Sequence, residues 1–300
     1  MSLVSSPIAA ETTPEHYAVS SLTAADGVEL ALHAWLPADP AEVVGVLYYI
    51  HGIQSHAAWL IETARTLSRF GIAVYALDRR GSGRSSGTPG DLPSAEAVAA
   101  DYFQGLAEVQ RRHRGIPTSV LGQSFGGSIL ASMAVVGLPG VARLIYCTPA
   151  LGQQNARHGV AKLPELRALT GADRFSLGLS DEDYTSKARY LEFMANDHLM
   201  LRQITQRTRA TMVAIEDQYW GRSAEIDAEV HFVTVDRDPI IDLAAAAAVI
   251  RELHPNAKTS NFACTGHYLE FSERRVDYWH WLVELLTPAG TAGQPEGQRR

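Results

Sequence analysis

Thr118-Ser119-Val120-Leu121-Gly122-Gln123-Ser124-Phe125-Gly126-Gly127-Ser128-Ile129-Leu130-Ala131-Ser132-Met133-Ala134 is the stretch on which the fold turns. Thr118 to Leu121 is a short apolar run that reads as a buried strand, and the small, apolar residues from Ser128 to Ala134 read as a packed helix. Ser124 then lies on a sharp strand-to-helix turn, where flanking glycines let the backbone bend and the hydroxyl is pushed out into a cleft. That is the geometry of an attacking serine.

Gly83-Arg84-Ser85-Ser86-Gly87 fits the same Gly-x-Ser-x-Gly pattern. It is followed by Thr88-Pro89-Gly90-Asp91-Leu92-Pro93, a cluster of breakers that prevents a helix from starting directly after the serine. Context therefore selects Ser124 over Ser85.

Outward from the turn, apolar and β-branched runs recur at 28–35, 43–50, 72–77, 117–121, 141–147, 230–235 and 258–264, with helical patterns at 59–70, 95–113, 125–136, 240–253 and 274–286 between most of them. Strand alternating with helix implies an α/β fold with a mostly parallel sheet covered on both faces. The first two strands, joined by Ala24-Ala25-Asp26-Gly27, read instead as an antiparallel hairpin at the sheet edge. The alternation breaks between Thr148 and Asp227, where no convincing strand is visible and a long helical pattern runs from Asp181 through Trp220. An insertion of about eighty residues is too long for a structureless loop, so it is expected to fold as a helical cap over the ligand-binding edge of the sheet. The expected division is a core at 15–147 and 228–287, a cap at 148–227, and flexible tails at 1–14 and 288–300.

Composition narrows the function classes. With 300 residues, 46% of them hydrophobic, and a net charge of -7, the chain can bury a large core but offers no basic surface for nucleic acid. No run has the length of a membrane span or a signal peptide, so a cytoplasmic protein is the default expectation. Cys147 and Cys264 look like small buried side chains, and the histidines show no zinc-ligand spacing, so neither a disulfide framework nor a metal is expected. The machinery is expected to need no cofactor, and no oligomeric state is implied.

A serine needs a base to take its proton, usually a histidine oriented by a carboxylate. After the insertion, His231 to Val235 reads as a strand ending in Asp236-Arg237-Asp238-Pro239, so Asp238 or Asp236 can supply the carboxylate. The last strand runs into Thr265-Gly266-His267-Tyr268, which makes His267 the candidate base. Ser124, Asp238 and His267 thus follow predicted strands in the order Ser, Asp, His. Two backbone amides should hold the oxyanion, those of Phe125 at the helix N-terminus and of Ile53 after Tyr48-Tyr49-Ile50-His51-Gly52. His51 precedes the serine by a whole strand-helix-strand unit and is expected to brace its loop. Gln54, Gln123, Phe193, Leu199, Tyr219 and Trp220 are the expected substrate contacts, with packing of the cap as the competing role for those inside it.

These residues resemble the α/β-hydrolase superfamily, specifically serine hydrolases of the monoglyceride lipase and lysophospholipase type. The resemblance rests on His51-Gly52 with Ser55-His56, on Ala76 to Gly87, on Gly122 to Gly127, on Thr265-Gly266-His267, and more weakly on Asn196-Asp197-His198-Leu199. It implies an eight-stranded, mostly parallel sheet with a helical cap inserted after the sixth strand, and ester cleavage through an acyl-enzyme on Ser124 with Asp238, His267 and the Ile53 and Phe125 amides. Two positions depart from the pattern: Val235 stands where a glycine is common, and Gln123 where related lipases often carry histidine. The expected substrate is a small ester with an apolar acyl group, acylglycerol- or lysophospholipid-like. A thioesterase, an amidase or a carbon-carbon bond hydrolase would use the same triad, and a slow-turnover small-molecule receptor on the same fold is the reading from another class. Phosphate binding by Arg80 to Gly87 is disfavoured, because neither the glycine spacing nor a following lysine fits.

Overall fold

The structure, a computed structural model, describes residues 16–288. The tails expected at 1–14 and 288–300 therefore lie outside the described residues, apart from Pro288. The first half runs β1 (Tyr17–Thr23), β2 (Glu29–Trp35), β3 (Gly45–Ile50), α1 (Ile61–Ser68), β4 (Ile72–Leu77), α2 (Ala95–Arg112), β5 (Thr118–Gln123), α3 (Phe125–Val136) and β6 (Val141–Cys147). After the insertion come β9 (Glu229–Arg237), α9 (Leu243–Leu253), β10 (Lys258–Thr265) and α10 (Arg275–Leu286). These strands form one eight-stranded sheet in the order β1-β2-β4-β3-β5-β6-β9-β10. It is parallel from β4 to β10, while β1 with β2 and β2 with β4 are antiparallel, as the hairpin reading of the N-terminal strands requires.

The central strands are apolar on both faces because both faces are covered. Along β3, Val46, Tyr48 and Ile50 join one cluster with Val98, Tyr102 and Leu106 of α2 and Ile129 and Leu130 of α3. Leu47 and Tyr49 join the opposite cluster with Ala64 and Leu67 of α1 and Leu282 and Leu286 of α10. The two-residue alternation of side chains divides one apolar run between two cores.

Helix α3 has no polar face, since it is wedged between the sheet and its neighbours and every residue from Phe125 to Ala134 is buried. Its first turn approaches the sheet at backbone distance. A side chain added at Gly126 would place its Cβ 2.0 Å from the Ile50 carbonyl oxygen, and one at Gly122 would lie 2.5 Å from the Gly126 oxygen. Both positions must be glycine for Ser124 to sit so close to the end of β3.

The insertion holds α4 (Gln153–His158), α5 (Leu163–Arg167), β7 (Arg174–Ser176), α6 (Asp181–Tyr184), α7 (Ala188–Asn196), β8 (Gln203–Thr205) and α8 (Gln206–Tyr219). It is therefore not wholly helical: β7 and β8 pair antiparallel, and β8 with its approach splits the helical pattern expected from Asp181 to Trp220. The pairing is a tertiary event between three-residue segments, too short to show a period of two in the sequence. Contacts tie the insertion to loops at the C-terminal ends of the parallel strands: Leu201 N–H donates to the Gln54 carbonyl at 3.0 Å and Leu92 N–H to Thr208 Oγ1 at 2.7 Å. No helix among the described residues is long and apolar enough to cross a membrane.

Gly126→Ala is expected to lower stability by about 3 kcal/mol or more, because backbone rather than a yielding side chain blocks the new methyl. Chemical denaturation of the variant checks this, and an unchanged midpoint would show that the α3–β3 approach is not as close as described.

Candidate active site

Ser124 follows β5 directly, with φ 54° and ψ -122°, a backbone conformation uncommon for any residue with a side chain. The turn is held on both sides, with Ser124 N–H donating to the Cys147 carbonyl at 3.1 Å and the Ser124 carbonyl accepting from Gly127 N–H at 2.9 Å and Ala150 N–H at 2.8 Å. The competing Ser85 has a different task. Its hydroxyl donates to the Asp78 carbonyl at 2.6 Å and accepts from Ala31 N–H at 2.9 Å, closing the loop after β4.

Of the two candidate carboxylates, Asp238 meets His267, its Oδ2 lying 2.7 Å from Nδ1. Its other oxygen accepts from the Ile240 and Ile241 amides at 2.8 and 2.9 Å, so the carboxylate is fixed in orientation. Asp236 is exposed and takes a hydrogen bond from Asn261 Nδ2 at 2.7 Å. Strand β9 runs on to Arg237, two residues beyond the expected end, so Asp236 is still within the strand and only Asp238 lies past it.

His267 is fully buried and held from three directions. Its N–H donates to the Asp183 carbonyl at 3.1 Å, its carbonyl accepts from Thr148 Oγ1 at 3.1 Å, and the Tyr184 ring stands edge-on at 5.7 Å. The side-chain amide of Gln123 lies 3.4 Å from its Nε2. Gln123 is also close to the loop after β3, since a Cβ on Gly52 would come within 2.9 Å of its Oε1 and 3.3 Å of the Ser124 Cβ. The loops after β3 and β10 thus meet at Gln123, the residue before Ser124.

That loop is organised by Arg79, which is fully buried. Its guanidinium donates to the Gly52 carbonyl at 3.1 Å and the Ile53 carbonyl at 2.9 Å, and stands 5.5 Å from the centre of the Phe125 ring. In a trans peptide the C=O and the following N–H point in opposite directions, so anchoring the Gly52 oxygen turns the Ile53 N–H away from Arg79. His51 completes the brace. Its Nε2 accepts from Arg79 N–H at 3.0 Å, which leaves the proton on Nδ1 to donate to the Gly52 carbonyl at 2.9 Å. Burial, with help from the Arg79 charge, pushes the imidazole down to about 3, so it stays neutral.

The other expected contacts separate. Gln54 accepts from Tyr184 O–H at 2.6 Å and joins the loop to the insertion. Phe193 is buried edge-on to Trp59 and Phe271, at 5.9 and 6.1 Å, and Tyr219 is buried with its O–H donating to Ser128 Oγ at 3.3 Å, so packing occupies both. Leu199 is half-buried, and Trp220 is exposed beside Gly152. Arg79, Thr148, Asp183 and Tyr184 received no role from the sequence. Arg79 at least falls inside a block of the family resemblance, whereas nothing local marks the other three.

Similarity to known proteins agrees with this architecture. The profile of the hydrolase family described as serine aminopeptidase, S33, matches residues 41–267. The monoacylglycerol lipase of Mycolicibacterium smegmatis is 30% identical over 151 residues, 50% of either chain, and the mouse monoglyceride lipase is 28% identical over 108 residues, 36% of this chain and 35% of its own. The chain thus spans half or less of the length of these curated relatives. Among solved structures, a carboxyl esterase from Bacillus coagulans superposes with a TM-score of 0.78 at 18% identity, covering 90% of this chain and 97% of its own. A monoglyceride lipase from Saccharomyces cerevisiae gives 0.76 at 19% identity, covering 92% and 96%. At those identities the likeness is one of fold.

The His51 ring is expected to keep a single proton, on Nδ1, from pH 7 down to about 4, which long-range proton-nitrogen NMR reads directly; protonation near the ordinary 6.5 would refute the brace. The unfolded chain binds this proton below 6.5 and the folded chain does not. The stability His51 contributes is therefore complete above 6.5 and is lost as pH falls toward about 3, at up to ~1.4 kcal/mol per pH unit.

Proposed function

The chain belongs to the serine aminopeptidase, S33, family of monoglyceride lipase-like α/β-hydrolases, and on that premise we propose that it is a cofactor-free serine hydrolase that cleaves a carboxylic ester through an acyl-enzyme on Ser124. The 2.7 Å contact between His267 and Asp238 is the observation that carries the reading, and the strained turn at Ser124 next to Gln123, which reaches His267 Nε2, supports it. His267 Nε2 takes the Ser124 proton as Oγ attacks the carbonyl, and Asp238 orients the ring and balances the imidazolium that forms. The amides of Ile53 and Phe125 receive the charge on the tetrahedral oxygen, the first aimed by Arg79 and the second backed by the N-terminus of α3. The imidazolium then protonates the leaving alcohol as the carbon-oxygen bond breaks. Water repeats the sequence to release the acid and restore Ser124.

In this reading 148–227 acts as a cap whose docking also shapes the catalytic centre. Asp183 and Tyr184 hold His267, and Tyr184 holds Gln54 of the oxyanion loop. Leu199 and Trp220 remain candidates for apolar contact with the acyl group, and Gln123 floors the pocket beside His267 Nε2. The lipase names of the relatives favour an ester over a thioester, an amide or a carbon-carbon bond.

A fluorophosphonate probe is expected to label the wild-type chain, and labelling should disappear in Ser124→Ala. Persistent labelling of that variant would remove the nucleophile assignment. The two acids are told apart by turnover of a p-nitrophenyl ester: Asp238→Asn is expected to lower kcat by about 10⁴, as loss of the orienting acid does elsewhere, while Asp236→Asn stays within about threefold. The reverse ranking would move the role to Asp236.

A further inference from the structure

The cations of the insertion differ in their partners. Arg167, Arg189, Arg202 and Arg207 are each paired with a carboxylate, namely Asp217, Glu62, Asp181 and Asp91. Arg157, Lys162 and Arg209 have no carboxylate within 4.0 Å among the described residues. They stand together around His158, whose Nε2 accepts from Arg209 at 3.3 Å and whose ring lies in the fields of Arg209, Lys162 and Arg157. In a chain with a net charge of -7, three neighbouring cations with no carboxylate in direct contact stand out.

Carboxylates close enough to neutralise them are otherwise engaged. Glu216, on α8 beside the cluster, is buried and accepts from the Gln154 and Asn155 amides and from Asn155 Nδ2 at 2.7–3.0 Å, while Asp217 holds Arg167. Arg209 is half-buried, with its guanidinium 5.1 Å from the centre of the Phe175 ring. One face of its fork is thus sheltered by an aromatic ring. Burial, reinforced by these three cations, pushes the His158 imidazole down from its usual value, as a region of positive potential does.

Arg157 ties the cluster to the segment that fixes Asp238. Its guanidinium donates to the carbonyl of Ile240, the residue whose N–H binds Asp238 Oδ1. Arg157 on α4 and Arg209 on α8 thus flank His158, with Arg157 reaching the Asp238 segment. Guanidinium groups present planar donor pairs that match carboxylate and phosphate oxygens.

We infer that Arg157, Lys162 and Arg209 form an anion-recognition site beside the segment that carries Asp238, and that the natural substrate is an ester carrying a carboxylate or phosphate remote from the scissile carbonyl. The inference rests on the ester-hydrolase reading and narrows its substrate class. Charge complementarity of this kind acts on capture of the substrate, so it is read in kcat/KM and weakens as salt screens it.

The test uses the full chain with two esters of equal acyl length, p-nitrophenyl valerate and mono-p-nitrophenyl glutarate. The wild type is expected to favour the anionic ester in kcat/KM by about tenfold at low salt, with the preference shrinking as salt rises. Arg157→Gln, Arg209→Gln and the exposed Lys162→Gln should each lower the ratio of the two kcat/KM values several-fold; because a ratio is read, a general loss of activity divides out. A ratio near one in the wild type, or a high ratio that no substitution moves, overturns the anion site and leaves ester hydrolysis standing. If neither ester is turned over, the hydrolase reading fails, and the anion site is judged by binding. Inorganic phosphate should then raise the Tm of the wild type but not of Arg209→Gln or Lys162→Gln, and no difference between them overturns it. Competition by succinate against inorganic phosphate distinguishes a carboxylate from a phosphate head group by which inhibits at the lower concentration.

Discussion

The buried guanidinium of Arg79 is the constraint around which the candidate-site end of the sheet is arranged. Burying a cation is costly unless its donors are satisfied, and here the partners are backbone carbonyls of Gly52 and Ile53 together with the face of Phe125. That choice of partners has a geometric consequence a carboxylate partner would not have. By holding carbonyls, Arg79 fixes peptide planes, and fixed peptide planes aim amides. The neutral state of His51 belongs to the same arrangement, because a protonated ring could no longer accept from the Arg79 amide.

Just upstream, Asp78 makes the Arg79 position rigid. Burial opposes its ionisation, but the hydrogen bond and charge of His33, with His56 nearby, more than offset this and hold the carboxyl below its usual range. Its oxygens accept from His33 Nε2 at 3.0 Å, from Ala57 N–H at 2.7 Å and from Arg84 N–H at 2.8 Å, linking β2, the loop after β3 and the loop after β4. The insertion is fastened to the same loop through Asp197, which accepts from Trp59 Nε1 at 2.8 Å and pairs with His56 Nε2 at 2.9 Å. Loops that look independent in the chain share a few buried polar joints.

This division explains what could be read in advance. The central strands were legible because burial on both faces leaves long apolar runs such as Gly45 to Ile50, whereas the count of eight came from the family resemblance, since the half-exposed β1 has no such run; the turn at Ser124 was legible because its glycines answer to steric contact at Gly122 and Gly126. His267 and Asp238 were reachable from their places after strands, yet the choice of Asp238 over Asp236 needed the length of β9. The interior of the insertion was not legible. Its order comes from β7 meeting β8 and from joints such as Tyr184 with Gln54, separated by 130 positions, and no local period records such pairings. Phe193 and Tyr219 illustrate the same difficulty, since an aromatic residue that packs a core and one that lines a pocket look alike in a sequence.

Backbone strain shows how closely the conformational cost is confined to the site. Among the described residues Ser124 and Thr148 are the two non-glycine positions with positive φ, at 54° and 38°, and they end neighbouring strands of the sheet. Such a conformation costs on the order of 1–3 kcal/mol per residue and persists only where surrounding bonds over-determine it. At Thr148 those bonds are its N–H to the Val233 carbonyl at 2.9 Å and its hydroxyl to the His267 carbonyl at 3.1 Å. A β-branched residue is a poor choice for that backbone unless its hydroxyl is required, and here the hydroxyl steadies the segment that carries the imidazole. One strained residue thus presents the serine while the other holds the histidine loop, which ties the two strand ends into a single rigid unit.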